Sequence, residues 1–192
     1  MRIHLLLTVT WIVWMCVEAA LVLLPTLLDR IRGRGTTQDR GSVVVLLASV
    51  SAGFWIAGAV SHSPSGRLPG PPDVLVGAGV AIMWVGLALR VWAILVLGGL
   101  FRGIVTIQED HRLVTAGPYR WLRHPSYTGA LVASLGYGIG LGHWIGLAAL
   151  LLSWFAGLAY RIHVEESALR RTFGRAYDDY RARTRRLIPY VY

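Results

Sequence analysis

Residues 74–100 read VLVGAGVAIMWVGLALRVWAILVLGGL, with Arg90 the only charge in the run. A helix rises about 1.5 Å per residue, so about 20 apolar residues cross a hydrocarbon core of about 30 Å. A soluble core does not need so long an unbroken apolar stretch, whereas a bilayer does. Working outward, further apolar segments cover 3–28, 43–60, 127–141 and 144–160. All but 127–141 have, or nearly have, spanning length. That segment meets the next through only Gly142 and His143, which predicts a tight helical hairpin. The expected fold class is an all-α integral membrane protein: about five transmembrane helices plus a C-terminal amphipathic cytoplasmic helical segment. Residues 1–192 should form one membrane domain. Three N-terminal spans would occupy 1–100; a loop, the hairpin and the C-terminal helices would occupy 101–192.

Composition supports this. The chain is 55% hydrophobic and 15% charged, against about 25% charged in soluble domains. Arg2 precedes the first apolar run as in a signal peptide. That run is longer than a 7–15-residue signal core and no small-x-small cleavage site follows, so a retained span is expected. The only cysteine, Cys16, lies in this run and reads as a packing residue; a disulfide within the chain is impossible.

The net charge of +9 comes entirely from arginines. Nucleic-acid binding would need these on a soluble basic face, but they stand between and after apolar runs. The segments 29–42, 101–124 and the C-terminal tail hold 4, 4 and 8 arginines; Arg2 and Arg67 fall on the opposite side. That asymmetry places the C-terminus in the cytoplasm. The short form and arginine-only usage point to a bacterial inner membrane. Glu18 and Arg90 are charges at membrane depth. Arg90 reads as snorkelling toward the cytoplasmic face, with lining of a polar pocket as the functional alternative. The glycines of 136–142 read as small residues that let helices approach closely; they permit a dimer without requiring one, so oligomeric state stays open.

Polar residues gather in two segments on the expected cytoplasmic side. The first, 113–129, reads LVTAGPYRWLRHPSYTG. Gly117-Pro118 is a turn signal, and Pro125 suits the first turn of a helix. Backbone N–H groups at that helix start favour an anion such as a carboxylate, to which Arg123 adds a charged fork and His124 a donor. The second, 161–192, reads RIHVEESALRRTFGRAYDDYRARTRRLIPYVY. Leu169, Phe173, Tyr177 and Tyr180 recur at helical spacing opposite an arginine-rich face. An amphipathic helix on anionic lipid would look the same. It would not explain Glu165-Glu166, a carboxylate pair suited to the amino group or ribose hydroxyls of a cofactor. The remaining histidines, His4, His62, His111, His143 and His163, are scattered and read as loop or interface residues; no metal is expected.

RHPSYTG, a hydrophobic hairpin, EESALRRTFGRAYDDY and a closing LIP together resemble the isoprenylcysteine carboxyl methyltransferase family, whose pattern related phospholipid methyltransferases share. The resemblance covers about 113–189. It implies S-adenosylmethionine in a pocket between the loop and the C-terminal helices, and a lipophilic or prenylated substrate arriving from the bilayer. It places Thr115, Gly117, Tyr119 and His124 near the cofactor, with Tyr127 and Gly129 in the pocket wall. Glu165 or Glu166 would bind cofactor polar groups or position the substrate. Phe173, Tyr177, Tyr180 and Pro189 would enclose the adenosine. Methyl transfer to a carboxylate needs no strong base, only alignment and a dry pocket. An arginine clamp on the substrate, Arg123 or Arg161, and Glu166 are the catalytic candidates. Two rival readings remain: an NADPH-dependent membrane sterol or enone reductase, whose ending resembles RLIPYVY here, and a non-enzymatic lipid-binding scaffold.

Overall fold

The computed structural model describes residues 2–32, 36–37, 41–98, 106–107 and 113–188. Helices α1 (Arg2–Arg32), α2 (Ser42–Val60), α3 (Pro72–Leu97), α4 (Pro125–Leu141), α5 (Trp144–Phe173) and α6 (Arg175–Arg183) dominate it. Three of them, α2, α3 and α5, are long and apolar enough to cross a membrane. Counted over its described side chains alone, the apolar stretch of α1, Leu5–Leu21, is shorter. So is α4, whose 17 residues reach about 25 Å at 1.5 Å each. Among the described residues, length and composition support three of the five expected spans. The outer faces carry large apolar side chains such as Trp55, Val44, Leu95 and Leu152. That inversion of the soluble pattern fits a multi-pass integral membrane protein.

Small residues set the packing. α3 and α4 run antiparallel in close contact: a Cβ at Gly129 would lie 2.6 Å from the Gly86 carbonyl and 2.7 Å from the Arg90 nitrogen. Gly136 meets Gly79 and Met83 in the same way, the close approach that small residues allow between membrane helices. α2 packs on α5 by the same device, through Gly53 against Ser153 and Gly157 against Ser49. Between these pairs Trp11, Trp14, Phe54 and Tyr137 form an aromatic cluster with ring centroids 5.5–6.4 Å apart. Cys16, expected in packing, is exposed instead.

The two ends of the bundle are distinct. At one, Thr36–Thr37 (β1) pairs antiparallel with Thr106–Ile107 (β2), joining the α1–α2 and α3–α4 connections. Arg161 of α5 donates to Ser42 Oγ at 2.8 Å there. Three arginine-rich segments therefore share an end, as the charge pattern required. At the other, the α4–α5 hairpin turns through Gly142 and His143 and is tied to the 61–71 connection. Leu68 N–H donates to the Gly142 carbonyl at 2.8 Å, and Trp144 N–H to that of Gly66 at 3.0 Å. Buried His143 accepts from Gly146 N–H on Nδ1, so Nε2 carries the proton it gives to the Ser65 carbonyl at 2.7 Å.

Arg90 does not snorkel. Its side chain is buried, ion-paired with Glu18 of α1, and donates to the Ser126 carbonyl and Oγ at 3.1 and 2.8 Å. Trp14 Nε1 donates to Glu18 Oε1 at 3.0 Å. The correction has a simple cause: a carboxylate and a hydroxyl lie closer to Arg90 than the helix end does.

Candidate active site

α5 does not stop at the end of its apolar run. It continues to Phe173, carrying Arg161, Glu165 and Glu166 past the apolar part on one rigid element. Gly174 then breaks it, with φ 52° and ψ −124°, a conformation L side chains rarely adopt. The stripe read as one helix is therefore two: Leu169 and Phe173 end α5, while Tyr177 and Tyr180 belong to α6. The break folds α6 back beneath the segment that precedes α4.

That segment enters through a short 3-10 turn, Gly117–Arg120. Gly117 has φ 56° and sits where a Cβ would come 2.9 Å from Val96. The chain after α6 then runs beside residues 121–124 as a parallel bridge. Arg185 N–H donates to the Trp121 carbonyl at 3.0 Å, Arg123 N–H to that of Arg185 at 2.7 Å, and His124 N–H to that of Arg186 at 3.1 Å. Thr128 Oγ adds a 2.6 Å bond to the Leu187 carbonyl. The N–H groups of Arg123 and His124, just before α4, are thus spent on tail carbonyls. This zipper holds the turn and the tail as one unit against α5.

Glu166 sits at the junction. Its Oε1 accepts from Arg123 Nε at 2.8 Å and faces His124 Nε2 at 3.4 Å; its Oε2 accepts from Arg186 at 3.2 and 3.3 Å. Glu166 and His124 side chains are 8% and 3% exposed, so this carboxylate is a buried charge held by surrounding donors. Glu165, 31% exposed, lies 3.7 Å from His124 Nδ1 and accepts from Tyr127 OH at 2.9 Å. Tyr127 in turn accepts from Arg161 Nε at 3.1 Å and its ring stacks on that of His124. A continuous polar path therefore runs from Ser42 through Arg161, Tyr127, Glu165 and His124 to Glu166.

Beneath it lies a tyrosine layer. Tyr180 OH donates to the carbonyls of Tyr119 at 2.8 Å and Leu122 at 3.3 Å. Burial pushes the hydroxyls of Tyr119, Tyr177 and Tyr180 above the ordinary tyrosine range, and the Glu166 charge adds to this at Tyr177. All three stay neutral at working pH and act as walls and hydrogen-bond groups, not bases. Among the described residues the Tyr177 hydroxyl is buried without a hydrogen-bond partner, which costs free energy unless something uses it. Tyr177→Phe should therefore leave the unliganded protein equally or more stable. Tyr180→Phe, losing two bonds, should cost about 1–2 kcal/mol. Thermal melts of the two variants in detergent test the contrast.

Of the residues singled out by sequence, the structure brings together Arg123, His124, Tyr127, Arg161, Glu165 and Glu166, with Tyr119, Tyr177 and Tyr180 against them. Phe173 is half-buried at the end of α5, and Thr115 is exposed outside the polar network. Gly129 faces α3 across the α3–α4 contact; helix packing accounts for it, and it is not among the network's neighbours. Pro189 lies outside the described residues. Arg186, Thr184, Thr128 and Ser42 were not anticipated. One arginine among eight in the tail and one serine at a helix start carry no sequence signal; only chain pairing places them here.

Residues 79–171 match the model of the isoprenylcysteine carboxyl methyltransferase family. The chain is 36% identical over 127 residues to the protein-S-isoprenylcysteine O-methyltransferase of Tribolium castaneum, 64% of this chain and 45% of that one. It is also 36% identical over 115 residues to protein-S-isoprenylcysteine O-methyltransferase B of Arabidopsis thaliana, 59% of this chain and 58% of that one. The fold is similar to a solved eukaryotic intramembrane Ras methyltransferase, with TM-score 0.57 and 29% identity over 77% of this chain and 52% of that one. The chain thus spans about half the length of the curated relatives it matches.

Proposed function

From the match of residues 79–171 to the isoprenylcysteine carboxyl methyltransferase family, we propose that this chain is an S-adenosylmethionine-dependent methyltransferase. Its acceptor is a lipophilic, isoprenoid-like acid, methylated on the carboxylate. The observation that carries the reading is the convergence of the RHPSY turn and the Glu165-Glu166 pair. His124 lies between the two carboxylates, 3.4 Å from Glu166 and 3.7 Å from Glu165.

The residues present fit the cofactor. Glu165 offers a partly exposed carboxylate to a cationic ligand, and Tyr177 an unpartnered buried hydroxyl. Of the aromatic residues expected around the adenosine, Tyr177 and Tyr180 are buried and half-buried Phe173 has surface to offer. When bound, the cofactor supplies a sulfonium methyl: the acceptor oxygen forms the new C–O bond while the C–S bond breaks, its electron pair remaining on sulfur. No proton moves in that step, which suits a site whose tyrosines stay neutral. The protein's work is positional. Glu166 fixes Arg123 and His124; Arg123 ties the turn to the tail through the carbonyls of Thr184 and Arg181 at 2.6 and 3.2 Å. Arg161 aligns Tyr127, which holds Glu165. Burial of this network keeps water from the acceptor carboxylate, raising its reactivity.

A nicotinamide cofactor with a 2′-phosphate would need an arginine fork; Arg123 and Arg161 are committed to internal acceptors, which leaves the tail arginines to supply one. By the positive-inside rule the arginine-rich end, with the site, faces the cytoplasm, in a bacterium across its inner membrane. Detergent-purified protein should bind S-adenosylmethionine in calorimetry and not NADPH. Glu165→Ala should weaken the former about tenfold or more, the scale of one charge-assisted contact. NADPH binding in its place would move the chain to the reductases; binding of neither would return it to a lipid-binding scaffold.

A further inference from the structure

The apolar outer surface and the arginine-rich end meet at a place the polar network does not use. A Cβ at Gly117 would lie 2.9 Å from Val96, so the 3-10 turn is level with the last turn of α3. Leu95, beside Val96, is 73% exposed, as suits a side chain facing lipid. The turn and Trp121 after it therefore stand at the bilayer boundary. Trp121 is 53% exposed, and the Arg120 guanidinium lies over its ring, 5.5 Å from the centroid. The tail brings a second cation. Exposed Arg185 stands opposite Leu122 in the parallel bridge, and its N–H donates to the Trp121 carbonyl at 3.0 Å. Arg170 and Arg181 meet Asp178, and Arg123 meets Glu166. Among the described residues no carboxylate does the same for Arg120 or Arg185.

We infer that Arg120, Trp121 and Arg185 form a site for one anionic phospholipid of the leaflet at the arginine-rich end. The two guanidiniums take its phosphate, and the indole takes its glycerol and upper acyl region. An indole, apolar in body and polar at one edge, favours the headgroup level of a bilayer. Two exposed cations without a carboxylate attract a net-negative headgroup more than a zwitterionic one, whose own cation offsets its phosphate. An acidic protein would need the patch to stand clear of the bilayer, and the contact with Val96 places it at the boundary. One arginine comes from the turn and the other from the tail. A shared phosphate therefore adds a tie across the pairing that holds Arg123 and His124. This lipid is a structural neighbour rather than an acceptor, and its site stands whatever cofactor the chain takes.

The test uses the full-length protein in a neutral detergent, titrated with dioleoyl phosphatidylglycerol or dioleoyl phosphatidylcholine while native mass spectrometry counts bound lipid. Wild type should prefer the anionic lipid roughly thirtyfold, the scale of two arginines near an anionic surface. Arg120→Gln with Arg185→Gln should bring that preference to about threefold or below. The double lysine variant, which keeps both charges, should hold most of it. Neither guanidinium is tied to a carboxylate, so both double variants should melt as wild type does without added lipid. Trp121→Ala should weaken both lipids alike and leave the preference standing. Arg175→Gln is the control for charge alone. Arg175 is exposed but follows the end of α5, about 20 Å along that helix beyond its apolar run. At about 0.1 M salt that distance is screened, so its loss should change the preference by less than about twofold. A wild-type preference kept by the double glutamine variant overturns the inference. So does an equal fall in Arg175→Gln, which would make the effect one of net charge. Inorganic phosphate that displaces phosphatidylglycerol at equal concentration overturns it too, by making the patch an ion site.

Discussion

Glu166→Ala is expected to cost about 3–5 kcal/mol of stability, the scale seen when one partner of a buried ion pair is removed, and to abolish S-adenosylmethionine binding. The carboxylate is the shared acceptor for Arg123, His124 and Arg186. Removing it leaves the Arg123 guanidinium, 9% exposed, without a counter-charge. The loss propagates, because Arg123 also tethers the tail through Thr184 and Arg181. Glu166→Gln separates charge from shape. It keeps an oxygen for Arg123 but offers an amide to Arg186, and should fall between wild type and Ala in both readouts. Glu165→Ala is the contrasting control. That carboxylate is 31% exposed and its loss leaves no cation buried, so the melt should hardly move while cofactor affinity falls. A Glu166→Ala protein that melts within about 1 kcal/mol of wild type, the range of an exposed pair, would show that the junction is not the strut described.

The second large effect lies away from the chemistry. Glu18→Ala should destabilise the protein by about 3–5 kcal/mol because it leaves Arg90 charged and unpaired at membrane depth. Glu18→Ala combined with Arg90→Met should recover most of that loss. The methionine fills the space without a charge, and replacing both partners of a buried pair by apolar groups is often nearly neutral. Some activity should stay lost in the double variant, since Arg90 also holds Ser126 at the start of α4. The double-mutant cycle is read in thermal melts. A Glu18→Ala variant as stable as wild type would mean that Arg90 finds water or another acceptor. α1 has most to lose, since this pair is its polar attachment to α3.

Much of the architecture was legible before any coordinates. Long apolar runs can be satisfied only by helices in a bilayer, where each backbone group must find its partner within the segment. The α4–α5 hairpin followed from the two-residue gap at Gly142 and His143. The shared end of three arginine-rich segments followed from their spacing along the chain. The two polar motifs that the fold brings together were legible too, because RHPSY and the Glu165-Glu166 pair are compact and stand out against apolar surroundings.

What failed was everything that depends on a distant partner. Arg90 read as snorkelling because Glu18, 72 residues away, is not a visible neighbour in the sequence. The Leu169–Tyr180 stripe read as one helix because its spacing is helical on both sides of Gly174, and periodicity does not register a single residue with positive φ. The internal partners of Arg123 and Arg161 were equally invisible, because a sequence shows that an arginine exists, not which acceptors its donors meet.

The chain by itself therefore determined the membrane class, the common end of the arginine-rich segments and the two polar motifs; hydrophobic length, charge and short-range spacing are local quantities written along the chain. Tertiary structure alone decided which charges are paired. Arg123 became a strut and Arg90 an anchor for α1. Ion pairing and burial are set by which side chains come within about 3 Å of one another, a distance that only the packing of α3 on α4 and of the tail against residues 121–124 establishes.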